Sequence, residues 1–265
     1  MAGTHRMAVL ISAIFLMSAF AGCTNDEEKS ESSAIDLVVY YDKTSGIIEE
    51  TMQNNQTISL QGAELSFDFA YTKSSQGDIE SFYLIPGDGG NEISVDANET
   101  GEIRYTYSTH GLFNAILGAT DDQGNEENLS IIIRIEKSIT WSQQATSNPA
   151  VMSIDARPDC DCDSPSKIEI DSTVENPPNL GGVLGSAVSV TWYFNSSEVS
   201  RQSNQELIAD GQDASWAHNE AGPKPEIWNL EVSLSDNNEN VNIEHLVMIS
   251  YRLDESAANP FPSEN

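Results

Sequence analysis

From about residue 35 onward, short runs carry apolar side chains at every second position, and clusters of Gly, Asn, Asp or Pro separate the runs. Period-two alternation predicts half-buried β-strands, and no long helical periodicity competes with it. In 62–72 one face holds Leu65, Phe67, Phe69 and Tyr71. Residues 187–194 line up Val188, Val190, Trp192 and Phe194, and 228–234 line up Trp228, Leu230, Val232 and Leu234. Residues 243–253 continue the pattern with Ile243, His245, Val247, Ile249, Tyr251 and Leu253. The Ile-rich run 131–136 reads as a buried strand that ends a domain, with the break at 136–140. The expectation is an all-β protein of two consecutive β-sandwich domains, 35–137 and 138–255, followed by a disordered tail at 256–265.

The first residues follow a different pattern. Arg6 precedes an apolar run from Met7 to Met17, interrupted only by Ser12, and small residues follow as far as Ala21. These are the regions of a secretory signal, and the run is short for a transmembrane helix. It ends in Ala21-Gly22-Cys23. That ending resembles the lipobox of prokaryotic lipoproteins, which implies a signal peptide over 1–22 and a lipid on Cys23. Phe20 stands where those proteins usually carry leucine. Residues 23–34 are acidic and lack apolar periodicity, as expected of a flexible linker between a membrane anchor and a folded body.

Three stretches in order give 60–137 a second resemblance. The first runs from Gly62 through the turn Gly77-Asp78-Ile79 to Gly87-Asp88-Gly89. The second carries Tyr107, Gly111, Phe113, Ala115, Leu117, Ala119, Asp121 and Gly124, and the closing strand is 129–135. Together they resemble the PKD domain, an immunoglobulin-like sandwich of exported prokaryotic proteins. The resemblance implies a non-catalytic spacer or a unit that contacts protein or carbohydrate. Leu84-Ile85-Pro86 replace the Trp-Asp-Phe that usually precedes Gly-Asp-Gly, which removes an acidic residue that could serve in binding. The physical content stands without the family: Gly111 permits a tight turn, and Gly124 is free to take positive φ in a hairpin. Residues 226–253 are similar to the closing hairpin of prepeptidase C-terminal type jelly rolls. A second immunoglobulin-like sandwich is the alternative for this part of the chain.

Composition narrows the partners. Hydrophobic residues make up 38%, enough for packed cores. Against 42 acidic residues stand 12 basic ones, for a net charge of −30 and a pI of about 4.1. Such a surface repels nucleic acid and anionic lipid and suits salty water or the attraction of cations; with the lipoprotein and PKD resemblances it fits a marine or salt-loving archaeon, a bacterium being the alternative.

No catalytic spacing occurs: there is no Gly-x-Ser-x-Gly, no His-Glu-x-x-His and no phosphate-binding glycine loop. His245 on an apolar strand face reads as a core histidine, with His110 in a turn and His218 in a loop. The reading is a non-catalytic binding, adhesion or scaffolding protein, with an envelope protein or a glycan as partner. A substrate-capture lipoprotein, or an accessory subunit of a transporter or secreted hydrolase, is the alternative. The enzyme-class rival is a small hydrolase within 140–255. No cofactor is expected beyond a candidate structural calcium. The candidate cation ligands are Asp159, Asp161 and Asp163, whose spacing matches the first three ligands of an EF-hand loop. Ser164 and Ile170 stand where that loop needs glycine and glutamate. Asp121-Asp122 and Asp236 are further acidic loops. Cys160 and Cys162, in an exported chain, point to a local disulfide, with free thiols or a soft metal as alternatives. Sequons occur at Asn55, Asn98, Asn128 and Asn195.

Overall fold

A computed structural model describes residues 33–178, 186–235 and 239–262. The expected signal peptide, Cys23, the expected linker as far as residue 32 and Asp236 lie outside the described residues. Every regular element described is a strand, and no described helix is long and apolar enough to cross a membrane. The first ten strands are β1 (Ile35–Asp36), β2 (Ser45–Gln53), β3 (Gln56–Gln61), β4 (Ala63–Asp68), β5 (Lys73–Ser74), β6 (Ile79–Ile85), β7 (Ile93–Asp96), β8 (Glu102–Tyr107), β9 (Gly111–Asp121) and β10 (Glu126–Thr146). The others are β11 (Met152–Asp155), β12 (Lys167–Asn176), β13 (Val188–Asn195), β14 (Ser200–Gln202), β15 (Glu206–Ile208), β16 (Gln212–Ala221), β17 (Ile227–Leu234) and β18 (Val241–Ser250).

The protein is all-β, as the alternation predicts. Leu65, Phe67 and Phe69 are buried, as are Val188, Val190, Trp192 and Phe194 and the Trp228 series. The buried side chains divide into two clusters. One draws on residues from Ile35 to Ile135, the other on residues from Ile139 to Tyr251. Both belong to one compact unit, Ser33–Asn265.

Strand β10 joins the two clusters. The Ile-rich run does not stop at residue 136; the strand runs on to Thr146, 21 residues in all, with a register shift between Gln143 and Thr146. Its residues 126–135 pair with β9, 137–146 with β18, and 134–142 run parallel to β2. A strand has two edges. Residues 134 and 135 meet β9 and β2 at once, and 137–142 meet β2 and β18 at once. Strands β9 and β18 therefore follow one another along the same edge, and the partner changes at Glu136. The break expected at 136–140 is a change of neighbour inside a strand. Ile135 serves the first core and Ile139 the second, and the position of the same parity between them is the half-buried Lys137, ion-paired with Glu50.

Two further expectations are corrected. Strands β17 and β18 do not form a hairpin: β17 pairs with β11 and β13, and β18 with β10 and β12. Both carry inward residues to the second core, so they serve opposite sheets of it. The tail is not frayed over the residues described. Tyr41 and Asn259 exchange backbone hydrogen bonds of 2.8 and 3.0 Å, and Ser256 N–H donates to Ile132 O at 2.9 Å. Arg134 clamps the start of the tail, donating from Nε and Nη2 to Glu255 at 2.9 and 2.8 Å.

Candidate functional site

The turn after β4 decides where the first candidate site lies. Tyr71 shares the parity of Phe67 and Phe69, yet it is 48% exposed. The strand ends at Asp68, whose carboxylate accepts the Ala70 N–H at 2.8 Å. The Thr72 N–H then donates to Phe69 O at 2.9 Å, closing a turn that throws Tyr71 outward. The Thr72 hydroxyl pins this turn to Val38.

Tyr40 and Tyr41 lie on a segment bonded on one side to Asp68 and on the other to Asn259. Extended backbone sends neighbouring side chains to opposite faces. Tyr41 accordingly enters the core against Phe67, and Tyr40 faces out. The returning tail places Phe261, also 48% exposed, against both outward tyrosines. The ring centroids lie 4.9 Å apart for Tyr40–Phe261, 5.1 Å for Tyr71–Phe261 and 5.7 Å for Tyr40–Tyr71.

Tyr40 and Phe261 of this cluster line a groove of about 380 Å³, and Tyr71 packs on them from outside its lining. The rest of its lining includes the polar face of β4, with Glu64, Ser66 and Asp68, Glu102 of β8 and the loop residues Asp42 and Lys43. Glu102 accepts a 2.5 Å hydrogen bond from Ser66 and an ion pair of 2.9 Å from Arg104. Both hold its carboxyl below the ordinary range, the Ser66 bond foremost. Aromatic faces beside ionised carboxylates can stack on an apolar ring face and accept hydrogen bonds from the hydroxyls around its rim. Sequence reasoning misses this site because parity puts Tyr71 inward and composition makes the tail a frayed end. The available clue is the aromatic pair Tyr40-Tyr41 together with a lone phenylalanine in an otherwise polar tail.

The other candidates fall elsewhere. Cys160 and Cys162 form a bonded pair with Cα atoms 5.2 Å apart. Cys160 packs against the first core, although it follows β11 of the second cluster. A Cβ on Gly111 would come within 2.9 Å of its sulfur. Gly111 therefore provides close approach to this loop, and its backbone is not in the left-handed region that the expected tight turn would use. Gly124 does take positive φ, +81°, in the β9–β10 turn.

Asp159, Asp161 and Asp163 are exposed, and Asp163 is ion-paired with Arg252 at 2.5 Å. Among the described residues no three His, Cys, Asp or Glu side chains gather closely enough to hold a metal ion, so the three aspartates do not converge as the EF-hand spacing would have them. Asp121 is buried and organises its own hairpin, accepting from Ser74, Gln123 and Asn125. Burial alone would raise its pKa, but these donors lower it to about 2.

Two of the three histidines described are buried. His110, between β8 and β9, spans the two clusters: Nε2–H donates to Asp155 O at 3.1 Å and Nδ1 accepts from Tyr251 at 2.7 Å. Burial lowers its pKa. His245 stacks on Trp141 and accepts from the Ser172 hydroxyl, which itself accepts the Trp192 indole N–H at 2.7 Å. It is a core histidine, as expected, and burial lowers its pKa to about 4. His218 is not in a loop: it lies on β16, stacked on Trp216 and bonded to Glu220, which also receives a bidentate Arg201. These groups close the outer edge of the second cluster.

Of the sequon residues, Asn98 and Asn128 are exposed and Asn195 half-buried. The Asn55 amide is engaged instead: its Oδ1 accepts the buried Trp141 indole N–H at 2.8 Å, and its Nδ2 donates to Val151 O.

No family model and no curated protein matches the chain. Among solved structures, it is similar to carbohydrate-binding modules of the β-sandwich superfamily at 13% identity, over 83% of this chain and 94% of that one, with a TM-score of 0.31. A fibronectin(III)-like module structure of Clostridium thermocellum CbhA gives 13% identity, 83% and 98% coverage and a TM-score of 0.25. A Broad Bean Stain Virus structure gives 9%, 76% and 91%, with a TM-score of 0.26. Likeness this distant says nothing of ligand or activity.

Proposed function

We propose that this protein is an exported, non-catalytic binding protein, held at the cell surface by a lipid on Cys23. Its ligand is a glycan seated in the groove lined by Tyr40 and Phe261, beside Tyr71. The observation that carries this reading is the aromatic cluster itself. Three rings are kept partly in water, and one is brought there by a tail that a clamp and a backbone bridge fix in place. Carboxylates beside the rings supply acceptors for sugar hydroxyls. The PKD-like reading of 35–137 and the leader ending in Ala21-Gly22-Cys23 agree with a surface module that contacts carbohydrate.

The test uses residues 33–265 against a panel of neutral and amino-sugar polysaccharides. Tyr71→Ala and Phe261→Ala should each weaken retention by about threefold to tenfold, the amount an aromatic contact provides. Binding unchanged in the double variant removes the groove from the function. Retention on peptide ligands alone would move the site to protein contact. Separately, Cys23→Ser should release the full chain from the membrane fraction, and continued membrane retention would exclude the lipid anchor.

A further inference from the structure

The groove beside Phe261 is lined by four carboxylates, Asp42, Glu64, Asp68 and Glu102, against one cation, Lys43. In so acidic a chain that count needs a comparison. The cleft around His110 supplies it: Lys137 and Arg157 line that cleft with Asp155 and Asp159, two against two. The internal partners of the groove carboxylates also leave acceptor capacity over. Ser66 and Arg104 both meet Glu102 at Oε1, Arg104 meets Glu64 at Oε1, 3.7 Å away, and the Ala70 N–H takes Oδ1 of Asp68. The second oxygen of each carboxylate lies outside these contacts, and an ionised carboxylate has about four acceptor sites. Arg104 is not part of the lining, and its side chain is mostly exposed, so it neutralises these charges only weakly.

Carboxylates alone would make only a solvated acidic face. Here Tyr40 and Phe261 stand in the same lining, with ring centroids 4.9 Å apart. Aromatic faces attract cations, and carboxylates form charge-assisted hydrogen bonds with them, so both parts of the lining favour the same ligand charge. An anionic ligand would be opposed by both, in a chain of net charge −30. We infer that the groove takes a glycan whose sugars carry free, protonated amines, such as a polymer of glucosamine, and discriminates against its N-acetylated form. This rests on the glycan reading of the groove and adds the charge of the sugar to it. The apolar face of the sugar lies on the rings, and its ammonium donates to carboxylate oxygens that the protein leaves unused. Acetylation removes that charge and two of the three donors, while Lys43 offsets only one of the four carboxylates.

Calorimetric titration of residues 33–265, one compact unit, tests this with two probes: the glucosamine hexamer and its N-acetylated counterpart. The two share rings and linkage. The free-amine hexamer should bind about tenfold or more tightly. Raising salt from about 0.1 M to 1 M shortens screening from about 10 Å to 3 Å and should remove most of that preference. Asp42 and Glu64 are exposed, so Asp42→Asn with Glu64→Gln removes two charges at little risk to the fold, which circular dichroism checks. This double variant should bind the free-amine hexamer about threefold to tenfold more weakly and the acetylated one as before. Equal or tighter binding of the acetylated hexamer overturns the inference, as does a preference that the double variant keeps. An oligolysine peptide that binds as tightly as the free-amine hexamer also overturns it, because the groove would then read protein. Phe261→Ala separates these results from the glycan reading. If it weakens acetylated-hexamer binding that matches the free amine, the groove remains a glycan site and only the charge inference falls; binding of neither hexamer removes both.

Discussion

The two buried clusters share a strand and both bury aromatic rings, yet they differ in the rings they leave over. The second encloses them: Trp141, Trp192 and Trp228 are buried, and their indole N–H groups are satisfied by Asn55, Ser172 and the Lys224 carbonyl. The first leaves three rings at its surface beside carboxylates. A ring that is buried and hydrogen-bonded works for the fold. A ring held in water by a dedicated tail is available for something else.

Breaking the enclosed side should have the largest effect. Trp192→Ala is expected to cost about 3–5 kcal/mol, because it empties a core position and leaves Ser172 without a donor. Urea unfolding should show it. Next comes pH. His245 has its pKa lowered to about 4, below its ordinary 6.5, so the unfolded chain binds the proton more readily. Stability should be complete above about pH 6.5 and decline by up to about 3 kcal/mol as pH falls toward 4. His110, lowered in the same direction, adds to the slope, and His245→Gln should flatten it. Midpoints that do not move between pH 7 and 4.5 would contradict the burial of both rings.

On the open side, Arg134→Ala removes the clamp on Glu255. It should cost about 1–3 kcal/mol and raise hydrogen exchange at Ser256 and Asn259. Phe261→Ala should change stability by less than about 1 kcal/mol while weakening ligand binding, which is the contrast between the sides in one variant. The smallest expected effect is none: a chelator should leave the melting temperature unchanged, since Asp159, Asp161 and Asp163 do not converge.

Alternation makes most of the fold legible. It identifies the inward sets of β4, β13, β17 and β18, because a half-buried strand leaves a period of two in its residues. It fails where the period continues but the structure changes. Tyr71 keeps the parity of Phe69 after the strand has turned. Leu253 keeps the parity of the buried Tyr251, yet stands exposed beyond the strand's end at Ser250. The handover shows only as the polar run Glu136-Lys137-Ser138, which reads as a break; that the strand itself continues is not visible, because pairing partners leave no mark on a strand's own alternation. The groove is illegible for a related reason. It joins residues near 40, 66, 102 and 261, and only the folded chain brings them together. The Asn54-Asn55 turn is the missed local clue, since two asparagines between extended runs allow the left-handed pair that a tight hairpin needs.

The length of β10 has a mechanical meaning. At about 3.3 Å per residue its regular part, 126–143, spans about 60 Å before the register shifts ahead of Thr146, and hydrogen bonds to β9, β2 and β18 brace it along the way. Two bodies strung on a flexible linker would swivel independently. These two share one beam, so a load taken up at the groove is carried into the second body without a pivot between them.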